Sequence, residues 1–372
     1  MKGTPPPDAI VVGAGIVGAA VAEALAADGA RVTVLDSGTA ALGATAVGMG
    51  HLVAMDDSPA QLALTTYSLD LWRDLSADLP ATCEYDPAGT LWVAEEPSQL
   101  AGAVGKIAAY ARHGVALQHL SGDEVQALEP NLRPGLAGGL LAPRDAILYP
   151  PGAARALLAR AQARGATLRE HAEVTAFGPR RVSLGAETLQ AGVVVNAAGL
   201  GAARLMPELP IVPRKGHLII TDRAPGFCRH QIVEMDYLQS AHQMTAESAA
   251  FNVQPRATGQ VLIGSSRELV GWDGGLNRGL AGRMLARAVQ FMPALARLPA
   301  LRIWTGFRPA TPDKLPLIGR WNAVDGLWIA AGHEGLGITT SLGTAGLLAD
   351  LIAGRTPAID ALPFDPNRTP RE

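Results

Sequence analysis

The sequence predicts an α/β protein in which a Rossmann-like dinucleotide-binding domain carries an inserted, mostly antiparallel β-sheet domain and additional helices. The first observation is a β-branched apolar run at residues 9–12, which opens into the turn Gly13-Ala14-Gly15-Ile16-Val17-Gly18. The second is a series of strand patterns between residues 211 and 266, which is typical of an antiparallel sheet. The third is a return to the strand–glycine–helix pattern after residue 304.

The opening segment has every part of a dinucleotide-binding βαβ unit. Gly13 permits the tight turn, Gly15 lets the backbone approach a pyrophosphate, and Gly18 lets the helix pack closely on the sheet. The helix N-terminus offers unpaired N–H groups and the positive end of its dipole to the phosphates. The second strand ends at Asp36, whose carboxylate can accept hydrogen bonds from a ribose diol. This unit predicts dinucleotide binding but leaves open whether the ligand is FAD or NAD.

Composition and charge exclude several classes of partner and site. With 372 residues, 48% of them hydrophobic and 17% charged, the chain is long enough for two or three lobes around a large core. A net charge of −3 gives no reason to expect nucleic acid or an anionic membrane as a partner. Cys83 and Cys228 are far apart without metal-ligand spacing, so we predict neither a disulfide framework nor a metal site. Because no uninterrupted apolar run approaches the length of a membrane span, we expect a cytoplasmic protein.

Two further glycine-rich segments are candidate ligand contacts. Residues 43–51 contain too many glycines for a helix or strand interior, and they follow the ribose-binding strand closely. They form either a ligand-contacting loop or a connector between lobes, and His51 is either a site residue or an ordinary loop residue. Gly332-His333-Glu334-Gly335-Leu336-Gly337 leads into a closing helix, so it can direct a second helix N-terminus at a ligand.

These motifs as a set resemble the FAD-dependent family of D-amino-acid oxidase, glycine oxidase and sarcosine oxidase, over essentially the whole chain. The resemblance rests on the opening glycine motif with Asp36, on Val195-Asn196-Ala197-Ala198-Gly199, on Trp304-Thr305-Gly306-Phe307-Arg308-Pro309 with Asp313 and Pro316-Leu317-Ile318-Gly319, and on the turn at 332–337. The bacterial D-hydroxyproline dehydrogenase subgroup is most similar in Gly48-Met49-Gly50-His51-Leu52-Val53 with Asp56-Asp57-Ser58, and in Gln254-Pro255-Arg256 with Gly264-Ser265-Ser266-Arg267.

The resemblance implies a glutathione-reductase-like FAD-binding domain that is discontinuous in sequence. Residues 1–80, 145–210 and 304–372 are expected to form it. Residues 81–144 and 211–303 are expected to form a substrate domain, whose mostly antiparallel sheet roofs the flavin.

The resemblance also implies roles for individual residues. Arg308 matches the arginine that binds the substrate carboxylate, a task suited to the rigid two-donor fork of a guanidinium, although a structural ion pair is the alternative. Val174 matches the position whose backbone meets the adenine, and residues 335–338 match the turn beside the flavin pyrimidine edge, where N–H groups would stabilise arriving negative charge. The cofactor-binding residues predicted in addition to Gly13, Gly15, Gly18, Asp36, Val174 and Arg308 are Ser37, Thr45, Gly48, Met49, Gly50, His51, Ala198, Gly199, Gly306, His333, Glu334, Gly335, Leu336, Gly337, Ile338 and Thr339.

Three residues of the predicted antiparallel sheet are candidates for the substrate pocket. Tyr237 and His242 join Arg308 and His51 as candidate catalytic residues, and His217 is a further candidate. The alternatives are that Tyr237 packs within the sheet and that His242 is a solvated turn residue. Their positions alone do not decide between these roles.

The resemblance implies noncovalent FAD and oxidation of an amino acid. Val47 stands where some relatives carry the histidine that attaches FAD covalently. The implied reaction oxidises a D-amino or secondary α-amino acid, of the D-hydroxyproline or D-proline type, to the imine by hydride transfer from Cα to flavin N5. The first alternative is a glycine- or sarcosine-type oxidase that uses oxygen. The second is the flavin subunit of a heteromeric dehydrogenase, which passes electrons to partner subunits or a membrane quinone chain, and a homo-oligomer is also compatible.

A third alternative comes from a different class of protein. An NAD-dependent dehydrogenase, or a nucleotide-binding module without catalysis, would explain the first βαβ unit. It would leave Arg308 and the C-terminal glycine turn without a role.

Overall fold

The β-branched run at the start of the sequence becomes a buried strand within a six-stranded sheet. The structure is a computed structural model that describes residues 7–55, 58–235 and 247–368. The strands of this sheet are β1 (Ala9–Val12), β2 (Val32–Leu35), β8 (Thr167–Arg169), β12 (Val193–Asn196), β18 (Leu317–Arg320) and β19 (Leu327–Ala331). Their order is β18-β19-β12-β1-β2-β8, and all neighbours pair in parallel except β18 and β19. The predicted Rossmann-like sheet is confirmed.

Apolar helices cover this sheet and form the largest buried cluster with it. The helices are α1 (Ile16–Ala27), α3 (Pro59–Leu75), α6 (Pro150–Ala163) and α9 (Gly337–Ala353). Helix α1 contacts both α6 and α9, and α9 also contacts α3. Helix α3 begins where the Ser58 hydroxyl accepts a hydrogen bond from the Gln61 N–H, with Pro59 in its first turn.

One segment among the described residues has the length and composition of a membrane span. It comprises Glu334–Ala353, and 56% of its apolar window is buried inside the protein. The sequence prediction did not count this segment as a span because Glu334 and several glycines interrupt its apolar residues. Because α9 packs against α1 and α3, the apolar character of this segment is also what a core helix requires.

The second large sheet has eight strands, and all neighbouring strands pair antiparallel except for one parallel pair, Gln231–Glu234 with Thr90–Ala94. Its strands are β4 (Thr90–Ala94), β5 (Gln118–Ser121), β6 (Gly138–Ala142), β13 (Val212–Thr221), β14 (Gln231–Glu234), β15 (Glu247–Pro255), β16 (Val261–Glu268) and β17 (Ala300–Ala310). Their order is β17-β13-β16-β15-β14-β4-β6-β5. The predicted fold class, with its mostly antiparallel inserted sheet, is confirmed.

Helices α4 (Ala103–Ala111), α5 (Gly122–Leu128) and α8 (Arg278–Phe291) accompany this second sheet, and α8 packs on β15 and β16. Strand β17 pairs with β13 from Ala300 to Ala310, so the domain boundary predicted at residue 304 falls inside a strand. The remaining domain boundaries stay predictions.

The glycine-rich segment at residues 43–51 was expected to be a loop, yet it contains a short helix and a strand. Gly43 and Gly48 flank the helix, so the glycines lie at its ends and not in its interior. The helix is α2 (Ala44–Val47), and the strand is β3 (His51–Leu52), which pairs with β7 (Ala146–Ile147).

Two further parts of the fold are small. They are helix α7 (Gly201–Leu205) and a three-stranded sheet of β9 (Ala176–Gly178), β10 (Arg181–Leu184) and β11 (Glu187–Gln190).

Two helical glycines make a matched test of the close packing in the opening motif. A Cβ on Gly18 in α1 would lie 1.8 Å from the carbonyl oxygen of Gly13, whereas a Cβ on Gly105 in α4 would meet nothing within 4 Å. We expect Gly18→Ala to destabilise the protein by about 1–3 kcal/mol, because one backbone segment must move. Gly105→Ala should stabilise it by about 0.5–1 kcal/mol through higher helix propensity. The thermal unfolding midpoints of the two variants and the unaltered protein measure this, and equal midpoints would contradict it.

Candidate active site

A cavity of about 820 Å³ is lined by residues from both large sheets. Its volume lies within the range of about 300–1,000 Å³ that is typical of small-molecule sites. Asp36 and Val174 line it on the side of the six-stranded sheet, and Gly216 and Arg308 line it on the side of the eight-stranded sheet. A ligand in this cavity therefore contacts both parts of the fold.

The opening glycine motif forms one end of the cavity. Gly13 and Gly15 line it, and the N–H of Ile16 donates to the Thr45 hydroxyl at 3.0 Å. Asp36 accepts the N–H of Ala14 at 2.7 Å on one carboxylate oxygen and the N–H of Gly38 at 2.8 Å on the other. Because a carboxylate oxygen can accept more than one hydrogen bond, these contacts are compatible with a ribose diol on the same side chain.

The residues at the cavity fit a phosphate-containing dinucleotide. Helices α1 and α9 both begin at the cavity, and their N-cap residues, Gly15 and Leu336, make no side-chain capping hydrogen bond. Helix N-termini present N–H groups and a positive dipole end, so both can stabilise negative charge. Gly15 adds a backbone without a side chain at the point of approach. The cavity therefore has two separate places for negative charge, near the beginning and near the end of the chain.

Arg308 lies across the inner face of the eight-stranded sheet. It belongs to β17, and its Nη1 donates to the carbonyl oxygen of Ser266 on β16 at 3.1 Å. Between these strands runs β13, where a Cβ on Gly216 would lie only 2.3 Å from Nη1 of Arg308. The stem of Arg308 lies near Gly335, where a Cβ would be 3.5 Å from Cδ. The glycine on the middle strand thus makes room for the guanidinium.

A half-buried carboxylate, whose side chain is 17% exposed, lies among three arginines at this end of the cavity. Glu334 Oε1 is 3.5 Å from Nη1 of Arg214 and 3.6 Å from Nε of Arg267. Burial alone would raise the pKa of Glu334, but the charges of Arg267, Arg308 and Arg214 outweigh it and hold the pKa below its usual value. Glu334 is therefore ionised at neutral pH. These four side chains together carry an excess of positive charge, which favours an anionic group of a ligand.

The two histidines that line the described part of the cavity are both neutral at pH 7. Burial, together with the charge of Arg308 and against the opposing effect of a hydrogen bond with Gln254, lowers the pKa of His51 to about 3. Burial likewise lowers the pKa of His333 to about 3, and its Nε2 lies 3.0 Å from the Thr344 hydroxyl. Neither imidazole adds positive charge to the arginines at neutral pH.

Most of the residues predicted from sequence line this cavity. They are Gly13, Gly15, Asp36, Ser37, Thr45, Gly48, Met49, Gly50, His51, Val174, Ala198, Gly199, Gly306, Arg308, His333, Glu334, Gly335, Leu336, Gly337 and Ile338. The structure brings them together, while their individual roles toward a ligand stay predictions.

A few predicted site residues are not among those that line the cavity. Gly18 packs against Gly13, as its part in the motif requires. Thr339 donates to the carbonyl oxygen of His51 at 2.9 Å and accepts the N–H of Val53 at 3.3 Å, so it joins α9 to the segment of β3. His217 is fully buried outside the lining, so its prediction as a pocket residue is wrong. Tyr237 and His242 lie outside the described residues.

Sequence reasoning missed Arg214 and Arg267 as site residues. Arg214 pairs directly with Arg308 in the register of β13 and β17, and Arg267 lies on β16. Arg214, Gly216 and Leu218 line the cavity at every second position, which is the period of one face of a strand. This alternation in the sequence could have indicated Arg214 once Gly216 was assigned to the cavity.

Two helix N-termini and an arginine that face one cavity suit a cofactor with a pyrophosphate and an anionic substrate, as in a dinucleotide-dependent oxidoreductase. Residues 8–351 match the family described as DAO, FAD dependent oxidoreductase, and the chain belongs to that family. The cofactor is therefore FAD, and the predicted family, cofactor and class of enzyme are confirmed.

Curated relatives and solved structures agree with this assignment over almost the whole chain. The glycine oxidase of Pseudomonas aeruginosa is 30% identical over 374 residues, which cover 96% of this chain and 98% of that protein. The crystal structure of glycine oxidase from Geobacillus kaustophilus has a TM-score of 0.87 at 27% identity and covers 98% of this chain and 100% of that chain. L-proline dehydrogenase from P. horikoshii has a TM-score of 0.88 at 23% identity, covers 98% of this chain and 97% of that chain, and supports the fold alone. The closer resemblance to D-hydroxyproline dehydrogenase stays a prediction.

We expect FAD to be bound without a covalent link. Val47 lines the cavity at the position where some relatives carry a linking histidine, and a Cβ on Gly306 would lie 2.3 Å from its Cγ2. The described residues of the lining include no cysteine. Acid precipitation of the purified protein should therefore release the flavin into the supernatant. A flavin that stays with the precipitate would contradict the expectation.

Proposed function

We propose that the protein oxidises a small α-amino acid with a primary or secondary amine to the corresponding imine. The observation that carries this proposal is the Arg308 guanidinium, which is held over Gly216 in the cavity wall, beside the turn that begins α9. Bound FAD would supply the hydride acceptor, flavin N5, for the hydrogen that leaves the substrate Cα. The protein must then bind the carboxylate, orient the Cα–H bond and exclude water.

Arg308 is the proposed binding group for the substrate carboxylate. A guanidinium has five N–H donors in one plane, and the bond from Nη1 to the carbonyl oxygen of Ser266 holds one end of this group against the sheet. Two parallel N–H donors match the two oxygens of a carboxylate, which sets the direction of Cα as well as its distance. Arg308 therefore orients the substrate in addition to binding it.

The surroundings of Arg308 favour a neutral amine and a dry reaction site. Positive charge disfavours an ammonium group, and Arg214, Arg267 and Arg308 supply that charge, whereas His51 is uncharged at neutral pH. Met49, Leu218 and Val233 give the cavity an apolar lining near the arginines. Such a lining excludes water and strengthens the interaction between the guanidinium and a carboxylate.

Two groups of substrates are proposed. D-hydroxyproline and D-proline follow from the motif resemblance at residues 48–58 and 254–267. Glycine and sarcosine are the second candidates, because relatives named glycine oxidase are 30% identical over nearly the whole chain. The proposed electron acceptor for the reduced flavin is oxygen, a partner subunit or a membrane quinone chain.

Anaerobic bleaching of the visible flavin spectrum tests this function. The panel contains cis-4-hydroxy-D-proline, D-proline, glycine and sarcosine, each with its L-isomer where one exists. We expect at least one to bleach the flavin, and reoxidation by air compared with an added dye then identifies the acceptor class. A flavin that none of the four reduces would contradict the proposed substrate class.

Arg308→Ala tests the carboxylate contact. We expect KM for the amino acid to rise about 10- to 100-fold, because a charge-assisted hydrogen-bond pair is lost. The content of bound FAD should stay unchanged. Arg302→Ala is the matched control, since Arg302 is an exposed arginine of the same strand whose guanidinium lies 5.6 Å from the Trp304 ring centroid. Steady-state kinetics measure both, and an unchanged KM in Arg308→Ala would remove the proposed role.

A further inference from the structure

Behind the wall that carries Arg308 lies a layer of buried polar side chains. It consists of Lys215 and His217 on β13 and of Ser266 and Glu268 on β16, each at most 3% exposed. These residues alternate with Arg214, Gly216, Ser265 and Arg267, which line the cavity, so they belong to the opposite face of the sheet. Polar groups are costly to bury unless they are hydrogen-bonded, so the partners of this layer are informative.

The hydrogen bonds of His217 fix its tautomer. The N–H of Asn277, at the start of α8, donates to Nε2 at 3.1 Å, so Nε2 is the acceptor. Nδ1 then carries the proton and donates to the Ser266 hydroxyl at 2.8 Å. The backbone N–H of His217 donates to the same hydroxyl at 2.9 Å. Two atoms of one residue therefore hold the Ser266 side chain.

Ser266 links this histidine to the substrate side of the sheet. Its carbonyl oxygen is the acceptor for Nη1 of Arg308, at 3.1 Å. On its β15 side Ser266 pairs regularly with Ala249, but toward β13 the register shifts between the pairs Lys215–Glu268 and Ile219–Ile263. Three residues of β13 face four of β16 across this interval, as in a β-bulge. The two bonds from His217 therefore hold the Ser266 side chain on the side where the ladder is irregular.

We infer that His217 is a positioning residue which, through Ser266, sets where the Arg308 guanidinium lies against a substrate carboxylate. Burial lowers the pKa of His217, and the charges of Lys215 and Arg308 lower it further, against the opposing effect of Glu268. The neutral tautomer that holds Ser266 is thus the form present at neutral pH. The inference rests on the proposed function, because it gives Arg308 the carboxylate of the substrate as its ligand.

The variants separate hydrogen bonding from packing. His217→Phe keeps a ring in the buried space and loses both side-chain bonds. His217→Asn keeps a donor near the position of Nδ1, and Ser266→Ala removes the shared hydroxyl. Thr221→Val is the matched control, because the Thr221 hydroxyl accepts the N–H of Val261 at 3.1 Å at the other end of the same strand pair.

The measurement is anaerobic flavin reduction by rapid mixing with the amino acid that bleaches the wild-type holoenzyme, with apparent Kd and limiting rate reported separately. His217→Phe and Ser266→Ala should each raise the apparent Kd about 3- to 10-fold, the range expected for one lost hydrogen bond. The double variant should be no worse than either single variant, because both break the same link. His217→Asn should return the Kd to within about twofold of wild type, and Thr221→Val should leave it unchanged.

Other outcomes overturn the inference in distinguishable ways. If Arg308→Ala weakens substrate binding while His217→Phe and Ser266→Ala do not, the positioning role is wrong and the proposed function stands. If Thr221→Val raises the Kd as much as His217→Phe, the effect reflects general destabilisation of the sheet. If Arg308→Ala leaves the Kd unchanged, both the carboxylate contact and the positioning role are wrong. Should His217→Phe not fold, Ser266→Ala and His217→Asn still decide between these outcomes.

Discussion

The register between β13 and β17 is the constraint on which the site depends. It places Gly216 opposite Gly306 in the middle of a long antiparallel ladder. Because neither residue has a side chain, the guanidinium of Arg308 can lie against one strand and Val47 of α2 can lie against the other. A shift of one residue would turn every side chain of β17 to the other face. The pairing therefore lets the glycine-rich segment at residues 43–51 pack on the antiparallel sheet, and it also places Arg308 against Gly216.

The charges around Arg308 make a second constraint, because they lie in a largely buried place. Arg214 is 3% exposed and Glu334 is close to three arginines. Removing ions from water costs several kcal/mol for each, and their mutual attraction offsets this only when the geometry is good. Groups that are fixed in advance need no rearrangement when a charged ligand arrives. The buried cluster thus exchanges folding stability for a site that is already arranged for an anion.

Features that are determined within one short segment of the sequence were predicted correctly, whereas features that depend on pairing between distant strands were not. The opening βαβ unit was predicted correctly because its glycines, its helix and Asp36 act within one short segment, and each has a local reason for its residue type. The mostly antiparallel sheet was predicted from the strand patterns after residue 211. Arg214 and Arg267 were missed because their roles arise from pairing between strands that are distant in sequence. His217 was assigned to the pocket because the sequence does not indicate which face of β13 it occupies.

The first turn of α9, which borders the cavity, is held in position by residues that are far away in sequence. The indole N–H of Trp72 donates to the carbonyl oxygen of Ile338 at 3.2 Å, and the Ser68 hydroxyl donates to that of Thr339 at 2.5 Å. Both donors belong to α3, so the first turn of α9 is held through its carbonyl groups.

The Ser68 hydroxyl also accepts the N–H of Gly343 at 2.9 Å. It therefore contacts both the C=O and the N–H of one i, i+4 pair of α9, which ties α3 to α9. Gly337 and Ile338, the first residues of α9, line the cavity, and these bonds oppose sliding of the helix along its axis. The opening motif provides one helix N-terminus for the cofactor. The packing of α3 on α9 keeps the second N-terminus aligned with it, although the two are separated by most of the chain.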